Sequence, residues 1–307
     1  MAALAPGHLA PSCATIGVVV LRSARSRIAA TLAVSGLAGL AIAAAVADTG
    51  PAARVRPMAR VGRVTGVRRA ARVGPAARVG PAARAASLPL TGKVVGIDPG
   101  HNGRNYTDPA YIDRPIWNGR EWEACDTTGT ETDGGYTEAQ FNFNVAEYLA
   151  GDLRAEGARV VLTRTSNDGI GPCVKQRSEL INRAGANVAI DIHADGGPAS
   201  GRGFTVLEPV ADGPNDRVIG ASRTFGGELL ARYRALTGMP ASDYDGTGGI
   251  SYRDNLAGLN LTTVPKVLIE CGNMRNATDA ALLVRPGFQR LAARAIAETI
   301  TAYLQTG

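Results

Sequence analysis

Two histidines and two glutamates have the side-chain types of a hydrolytic metal site. His101 follows an apolar run by three residues, and His193 ends a second such run. Glu138 opens an amphipathic segment, and Glu270 ends a third apolar run. Two imidazoles and one carboxylate with an open fourth position form the ligand set of a catalytic zinc ion, which lowers the pKa of a bound water to about 7. A further carboxylate near that water could take its proton and pass it to a leaving amine.

Each of these residues also has a simpler interpretation. A histidine at the end of a strand is often packed or hydrogen-bonded, and a glutamate in the first turn of a helix is favoured by the helix dipole. Glu270 is harder to explain this way, because an acid that ends the apolar run 267–269 would be partly buried and would need a partner. Spacing alone leaves both interpretations open.

Alternating apolar and amphipathic segments must position these four residues. Strands are predicted at 93–98, 159–163, 188–193, 203–207 and 266–270. Helices are predicted at 137–156, 174–186, 216–236, 277–284 and 287–304. Strands that alternate with helices predict an α/β fold: a single domain with a mostly parallel twisted sheet of about six strands flanked by helices.

This fold class predicts where the four residues meet. Ligands of such sheets bind at the carboxyl ends of the strands. His101, His193 and Glu270 follow or end predicted strands, and the helix that begins at Glu138 has its N-terminus at the same edge. We therefore expect one site at the C-terminal rim of the strands.

Four motifs in this region resemble those of the zinc-dependent N-acetylmuramoyl-L-alanine amidases, which hydrolyse the bacterial cell wall. They are GIDPGH at 96–101, Thr137-Glu138 with Asn142 one turn later, VAIDIHAD at 188–195 and IECGNM at 269–274. The resemblance covers about 93–305 and is closest to the secreted actinobacterial, mycobacterial type. It implies that His101, Glu138 and His193 bind one Zn²⁺ ion and that Glu270 is catalytic.

The same resemblance implies a reaction and a substrate. The reaction is hydrolysis of the amide between N-acetylmuramic acid and L-alanine in peptidoglycan or a muropeptide, for cell-wall remodelling, division or turnover. Two alternatives remain: a zinc peptidase that acts on muropeptides or other peptides, and a non-catalytic cell-wall-binding protein.

Five polar residues are candidates for substrate binding or for support of the metal ligands: Asn142, Arg164, Arg177, Asp191 and Asn273. Arg164 and Arg177 match positions that are commonly basic in the family, or they form structural salt bridges. Asp191 stands where the family more usually has serine. It lies two residues before His193 on the same side of the strand, as a partner of that histidine or as a polar residue at a sheet edge.

The net charge of +6 comes from the N-terminal part of the chain. Residues 1–86 contain 12 arginines and one acid (net +11), and the remainder contains 21 basic and 26 acidic residues (net −5). Residues 1–47 have the arginines, apolar stretch and Ala-Val-Ala end of a cleaved signal peptide, or alternatively of a membrane anchor. Residues 48–90 are predicted to be a disordered linker rich in Arg, Ala, Pro and Gly, and 91–307 the catalytic domain.

The predicted signal peptide indicates that the protein is exported, and export restricts the partners that we expect. The protein is expected in the periplasm, the cell wall or the medium, or tethered to the membrane if the signal is not cleaved. The basic linker is then a tether or binds anionic wall polymers or a membrane surface, nucleic acid is not expected, and a monomer is the default. In an oxidising compartment Cys125 and Cys173 are expected to form a disulfide, the alternative being two free thiols.

Overall fold

The computed structural model describes residues 87–306. The predicted signal peptide and the linker up to residue 86 lie outside the described residues. This part of the chain contains eight strands: β1 (Val94–Pro99), β2 (Pro115–Trp117), β3 (Trp122–Ala124), β4 (Arg159–Leu162), β5 (Val188–Asp195), β6 (Thr205–Pro209), β7 (Ile250–Arg253) and β8 (Lys266–Asn273). Seven α-helices lie within the same described residues: α1 (Pro109–Ile112), α2 (Glu138–Ala155), α3 (Val174–Ala184), α4 (Ile219–Thr237), α5 (Ala257–Asn260), α6 (Ala277–Leu283) and α7 (Pro286–Thr306).

Six strands form one mixed sheet in the order β4-β1-β5-β8-β6-β7. The strands β4, β1, β5 and β8 are parallel, whereas β6 pairs antiparallel with β8 and carries β7 parallel to itself. The mostly parallel α/β prediction is therefore confirmed. The loop between β5 and β6 contains no helix, and the chain returns in the opposite direction.

Strand alternation gives the sheet two different faces. On β5, Val188, Ile190 and Ile192 are fully buried in the main core with residues of α2, α4 and α7. Burial of each such side chain contributes about 1.5–3 kcal/mol relative to exposure. The residues between them, Ala189 and Asp191, face the other side, which is covered more thinly by α3 and α5. The site lies on this second face, at the carboxyl ends of the strands.

The sequence patterns missed the shortest elements. The strands β2 and β3 pair as an antiparallel hairpin within the long loop after β1, and β7 is the sixth strand of the main sheet. Elements of three or four residues show too little periodicity to be predicted from the pattern. Within the described residues, no helix combines the length and apolar composition needed to cross a membrane.

Candidate active site

The central strands of the sheet place His193 beside Glu270. The two residues are register partners on the adjacent parallel strands β5 and β8. Both side chains belong to the alternating set that points away from the main core. Both line a cavity of about 510 Å³ at this rim of the sheet.

His101 reaches the same cavity from the turn after β1. It has a φ of 57°, and it is the one residue other than glycine with positive φ in the part of the chain that the structure describes. Such a conformation is costly for a residue with a side chain and persists only where the surroundings enforce it. Gly100 before it has no room for a Cβ, which would overlap the His193 ring. This close approach brings the two imidazoles to a centroid separation of 4.9 Å.

Glu138 lies between the two histidines at the start of α2. The Thr137 hydroxyl caps the helix by accepting a hydrogen bond from the Gln140 backbone N–H at 3.3 Å. This cap directs the Glu138 carboxylate into the cavity, where Oε2 is 3.2 Å from Nε2 of His101 and Oε1 is 2.8 Å from Nδ1 of His193. The carboxylate also accepts the backbone N–H of Thr130 at 3.0 Å.

The chemistry of this cluster fits a metal ion. One ligand atom from each of His101, Glu138 and His193 lies within 4.8 Å of the others. Zinc bonds of about 2.0–2.2 Å in a tetrahedron place ligand atoms roughly 3.3–3.6 Å apart. The contact of Glu138 with His101 at 3.2 Å is close to that range, and the contact with His193 at 2.8 Å is shorter. The residues present therefore fit the zinc ion that the resemblance implies.

An oxygen atom lies near the outer nitrogen of each imidazole. Nδ1 of His101 lies 3.1 Å from the Thr127 carbonyl oxygen and 3.5 Å from Oδ1 of Asp126. Nε2 of His193 lies 3.4 Å from Oδ1 of Asp191. When Nδ1 of His101 donates to the Thr127 carbonyl, Nε2 of His101 would present its lone pair to a metal ion. The contact of Asp191 with His193 is an ion-pair distance and not a hydrogen bond, because Oδ1 of Asp191 has no hydrogen-bond partner among the described residues.

Burial and the neighbouring opposite charges shift the pKa values of the cluster in directions that favour a bound cation. Burial opposes charge on His101, but Glu138 and Asp126 outweigh it and raise the pKa of His101 to about 9. Burial acts likewise against the Glu138 carboxylate, and the two histidines outweigh it and hold its pKa well below the usual range. In the absence of a metal, protons on the histidines balance the buried carboxylate. A divalent cation would replace those protons.

Glu270 differs from Glu138 in its surroundings. Burial raises the pKa of Glu270 well above its ordinary value; His193 opposes this rise, and Glu138 and Asp195 add to it. Its Oε2 is buried and has no hydrogen-bond partner among the described residues. A carboxyl group in this setting is suited to exchange a proton with a bound molecule.

Arg164 and Arg177 use their donors inside the protein. All five N–H donors of Arg177 bond to the carbonyls of Pro99, His101 and Pro172 and to the carboxylates of Asp98 and Asp126. All five donors of Arg164 bond to the carbonyls of Pro99, Gly100, Ala139 and Ser166 and to the side chain of Asn167. Both arginines thus hold the backbone around His101. Arg164 pairs with no carboxylate within residues 87–306, so the salt-bridge alternative is wrong for this residue.

Asp191 lies in the interior of the sheet. It is 6% exposed, on a strand with neighbours on both sides, so the alternative of a polar residue at a sheet edge is wrong. Besides His193, its carboxylate contacts Nζ of Lys266 at 3.5 Å, and Lys266 donates to Asp98 at 2.8 Å. Asp98 in turn pairs with Arg177 at 3.2 Å. This buried chain of charges connects the supports of both histidines.

The two asparagines among the candidates fix backbone near the site. Asn142 is fully buried and donates to the Gly100 carbonyl at 3.2 Å and to Oε1 of Glu138 at 3.4 Å. Asn273 donates to the carbonyls of Pro198 and Gly201, both at 2.8 Å, and so holds the loop after β5.

A disulfide joins Cys125 to Cys173. The backbone N–H of Val174 also donates to the Cys125 carbonyl at 2.8 Å. The bridge therefore ties the loop that carries Asp126 and Thr127 to the start of α3, the helix that carries Arg177. Cys271 is buried in the main core, away from the site.

Sequence patterns did not reveal four polar residues of the site. Asp126 and Thr127 follow Cys125 directly, so a disulfide expected at Cys125 was the one signal for them. Asp195 and Arg253 line the cavity at the ends of β5 and β7. Asp195 stood within a recognised motif, whereas nothing in the sequence marked Arg253.

A cavity lined by two histidines and two glutamates at the strand ends is the arrangement of a hydrolytic enzyme of the α/β class. The family model described as N-acetylmuramoyl-L-alanine amidase (Amidase_3) matches residues 95–302. The chain therefore belongs to the N-acetylmuramoyl-L-alanine amidase family.

Individual relatives agree with this membership. The N-acetylmuramoyl-L-alanine amidase Rv3717 of Mycobacterium tuberculosis is 37% identical over 224 residues, which are 71% of this chain and 88% of the relative. The germination-specific N-acetylmuramoyl-L-alanine amidase of Bacillus subtilis is 26% identical over 232 residues, 71% of this chain and 82% of its own length. The crystal structure of the amidase Ami1 from Mycobacterium smegmatis superimposes with a TM-score of 0.67 at 37% identity, over 71% of this chain and 99% of that chain. The predicted resemblance to the mycobacterial type is confirmed.

Proposed function

We propose that this chain hydrolyses the amide bond between the lactyl group of N-acetylmuramic acid and L-alanine in peptidoglycan. We further propose that it does so with one zinc ion held by His101, Glu138 and His193, and with Glu270 as the catalytic acid and base. The observation that carries the proposal is the pairing of His193 with Glu270 across β5 and β8. This register places a buried, unpartnered carboxylate oxygen beside the three metal-type ligands.

In the proposed reaction, the three ligands hold the metal ion and Glu270 transfers the proton. A zinc ion held by His101, Glu138 and His193 would act as a Lewis acid and would lower the pKa of a bound water. Glu270 takes the proton of the attacking water as the new carbon–oxygen bond forms. Because burial raises its pKa, Glu270 holds this proton and donates it to the alanine nitrogen as the carbon–nitrogen bond breaks. The products are a lactyl carboxylate and a free N-terminal L-alanine.

The other candidate residues act as supports in this proposal. Asp126, Thr127 and Asp191 orient the two imidazoles, and Arg164 and Arg177 fix the backbone of His101. Arg253 is a better candidate than either of these arginines for contact with the substrate, since it lines the cavity and none of its guanidinium nitrogens pairs with a carboxylate in the described part of the chain.

Export of the protein and attachment to the wall are also proposals. The disulfide between Cys125 and Cys173 supports an oxidising compartment. The signal in residues 1–47 and the basic linker in 48–90 agree with export, with the linker as a tether or a contact to anionic wall polymers or membrane.

Digestion of purified peptidoglycan tests the proposed bond. New N-terminal L-alanine on released stem peptides is expected, together with glycan strands that have lost their peptides. Cleavage confined to bonds between amino acids would instead support a peptidase. The exposed Arg183→Gln variant serves as a control for the preparation of active-site variants, since the side chain of Arg183 is 64% exposed on α3.

A further inference from the structure

The hairpin β2–β3 displays two exposed tryptophans. Trp117 and Trp122 are register partners and are the only two tryptophans in the sequence. They are 44% and 68% exposed, and their ring centroids lie 5.7 Å apart in an edge-to-face arrangement. A large apolar surface left in water on a folded domain is a feature of binding sites.

The hairpin holds these rings in place. Asn118 in the turn is fully buried: its Oδ1 accepts two backbone N–H groups, and its Nδ2 donates to Glu123 at 2.9 Å. Arg120 pairs with Asp212 at 3.3 Å and with Asp254 at 2.8 Å. These contacts fasten the turn to the loops near β6 and β7, so the exposure of the tryptophans is a fixed property of the surface.

The strand that carries Trp122 also borders the active-site cavity. Trp122 and Ala124 are two residues apart on β3 and therefore project from the same face of the hairpin. Ala124 and its neighbour Glu123 both line the cavity, so the hairpin forms part of the cavity wall. Since a strand rises about 3.3 Å per residue, the Cα atom of Trp122 lies roughly 7 Å beyond that of Ala124. Glu123, on the opposite face, accepts the backbone N–H of Ala257 at 3.2 Å and anchors this end of the strand.

The charge of the folded part restricts what this face can bind. Residues 87–307 have a net charge of −5, and the cation on the hairpin turn, Arg120, is already paired with two aspartates. Nucleic acid and anionic lipid surfaces need a basic partner. A sugar ring instead presents a face of C–H groups to an aromatic ring, and its hydroxyls can accept a hydrogen bond from an indole N–H.

We propose that Trp117 and Trp122 form a platform that binds a sugar ring of the glycan strand next to the cavity. The inference rests on the proposed function, in which the sugar of N-acetylmuramic acid carries the lactyl carbonyl that reacts. The sugar must therefore lie just outside the cavity while its amide is inside. The platform gives preference to peptides that are attached to glycan over free peptides.

Intrinsic fluorescence tests the proposal directly, because both tryptophans of the chain are on this face. The probe is a peptide-free tetramer of β-1,4-linked N-acetylglucosamine, titrated into the full-length protein. We expect a saturable change in tryptophan emission, and about tenfold weaker binding in Trp117→Ala and in Trp122→Ala, each of which keeps one reporter. Absence of any change up to millimolar probe, or equal affinity in the variants, would overturn the platform.

Kinetics on a glycan-linked stem peptide supply a second readout. KM is expected to rise about tenfold in each tryptophan variant, with zinc content and melting temperature as in the parent. Tyr252→Ala is the matched control, since Tyr252 is 59% exposed on β7 and does not line the cavity. An unchanged KM, or a dimer that dissociates when the tryptophans are replaced, would refute glycan binding. Because binding of the tetramer needs no hydrolysis, failure of the platform and failure of the amidase activity are separate results.

Discussion

Replacement of Arg177 by methionine tests how the turn that carries His101 is supported. The guanidinium is 2% exposed and makes two ion pairs and three hydrogen bonds to backbone carbonyls. Removal of one partner from a buried ion pair costs about 3–5 kcal/mol. Asp98 keeps Lys266 at 2.8 Å as a partner, and Asp126 keeps the Thr127 N–H at 2.8 Å. We therefore expect a loss of about 3–5 kcal/mol in the free energy of unfolding, and not the sum of five separate contacts.

Urea unfolding of the zinc-free protein measures this loss without any contribution from substrate or metal. The matched control is Arg183→Met on the same helix. Its side chain is 64% exposed and pairs with Glu179, an exposed pair, so that a change below about 0.5 kcal/mol is expected. Suppose that Arg177→Met has the same free energy of unfolding as the parent and only its KM rises. Arg177 then contacts the substrate, and the claim that it holds the turn at His101 is wrong.

Three other perturbations probe the charges and the bridge around the site. Burial opposes the charge of Asp98, but Lys266 and Arg177 outweigh the effect of burial and lower the pKa of Asp98 below the usual range. The contribution of Asp98 to the free energy of unfolding is therefore complete above the unfolded pKa of about 4. This contribution is lost as the pH falls through the lower folded pKa. Asp98→Asn should flatten the fall of unfolding free energy between pH 5 and pH 2, and an unaltered slope would contradict this role. Reduction of the disulfide between Cys125 and Cys173, which are 48 residues apart, should lower the free energy of unfolding by about 4 kcal/mol in chemical denaturation; equal stability of both redox forms would show that the bridge constrains nothing. Asp191→Asn should weaken zinc affinity about 10–100-fold in competition with a chelator, whereas parental affinity would remove Asp191 from the support of His193.

The fold and the convergence of the site could be read from the sequence because they depend on patterns that persist along the chain. The apolar runs around Ile97, Ile190 and Ile269 mark the central strands, and the rule that ligands bind at strand ends brings His101, His193 and Glu270 together. The rest depends on contacts between distant segments. The donors of Arg164 and Arg177 could be assigned to backbone carbonyls only after the turn at 99–101 was placed.

The positions of the hairpin residues and of the cavity walls also could not be predicted from the sequence. Two three-residue strands leave no alternation to detect, so Trp117 and Trp122 could not be recognised as neighbours. Arg253 reaches the cavity because β7 joins the far edge of the sheet through β6. The order of strands is a property of the packed sheet, and a single sequence does not determine it.

The central claim is that one ion held by three residues works with a separate carboxylate that is not a ligand. The most direct measurement compares zinc content and turnover of peptidoglycan in the parent and in Glu270→Gln. We expect one zinc ion per chain in both, with turnover in the variant reduced at least 10²–10⁴-fold, the usual contribution of a general acid and base. Retained turnover in zinc-loaded Glu270→Gln would contradict the proposed role of Glu270, and loss of the zinc would show that this residue is a ligand.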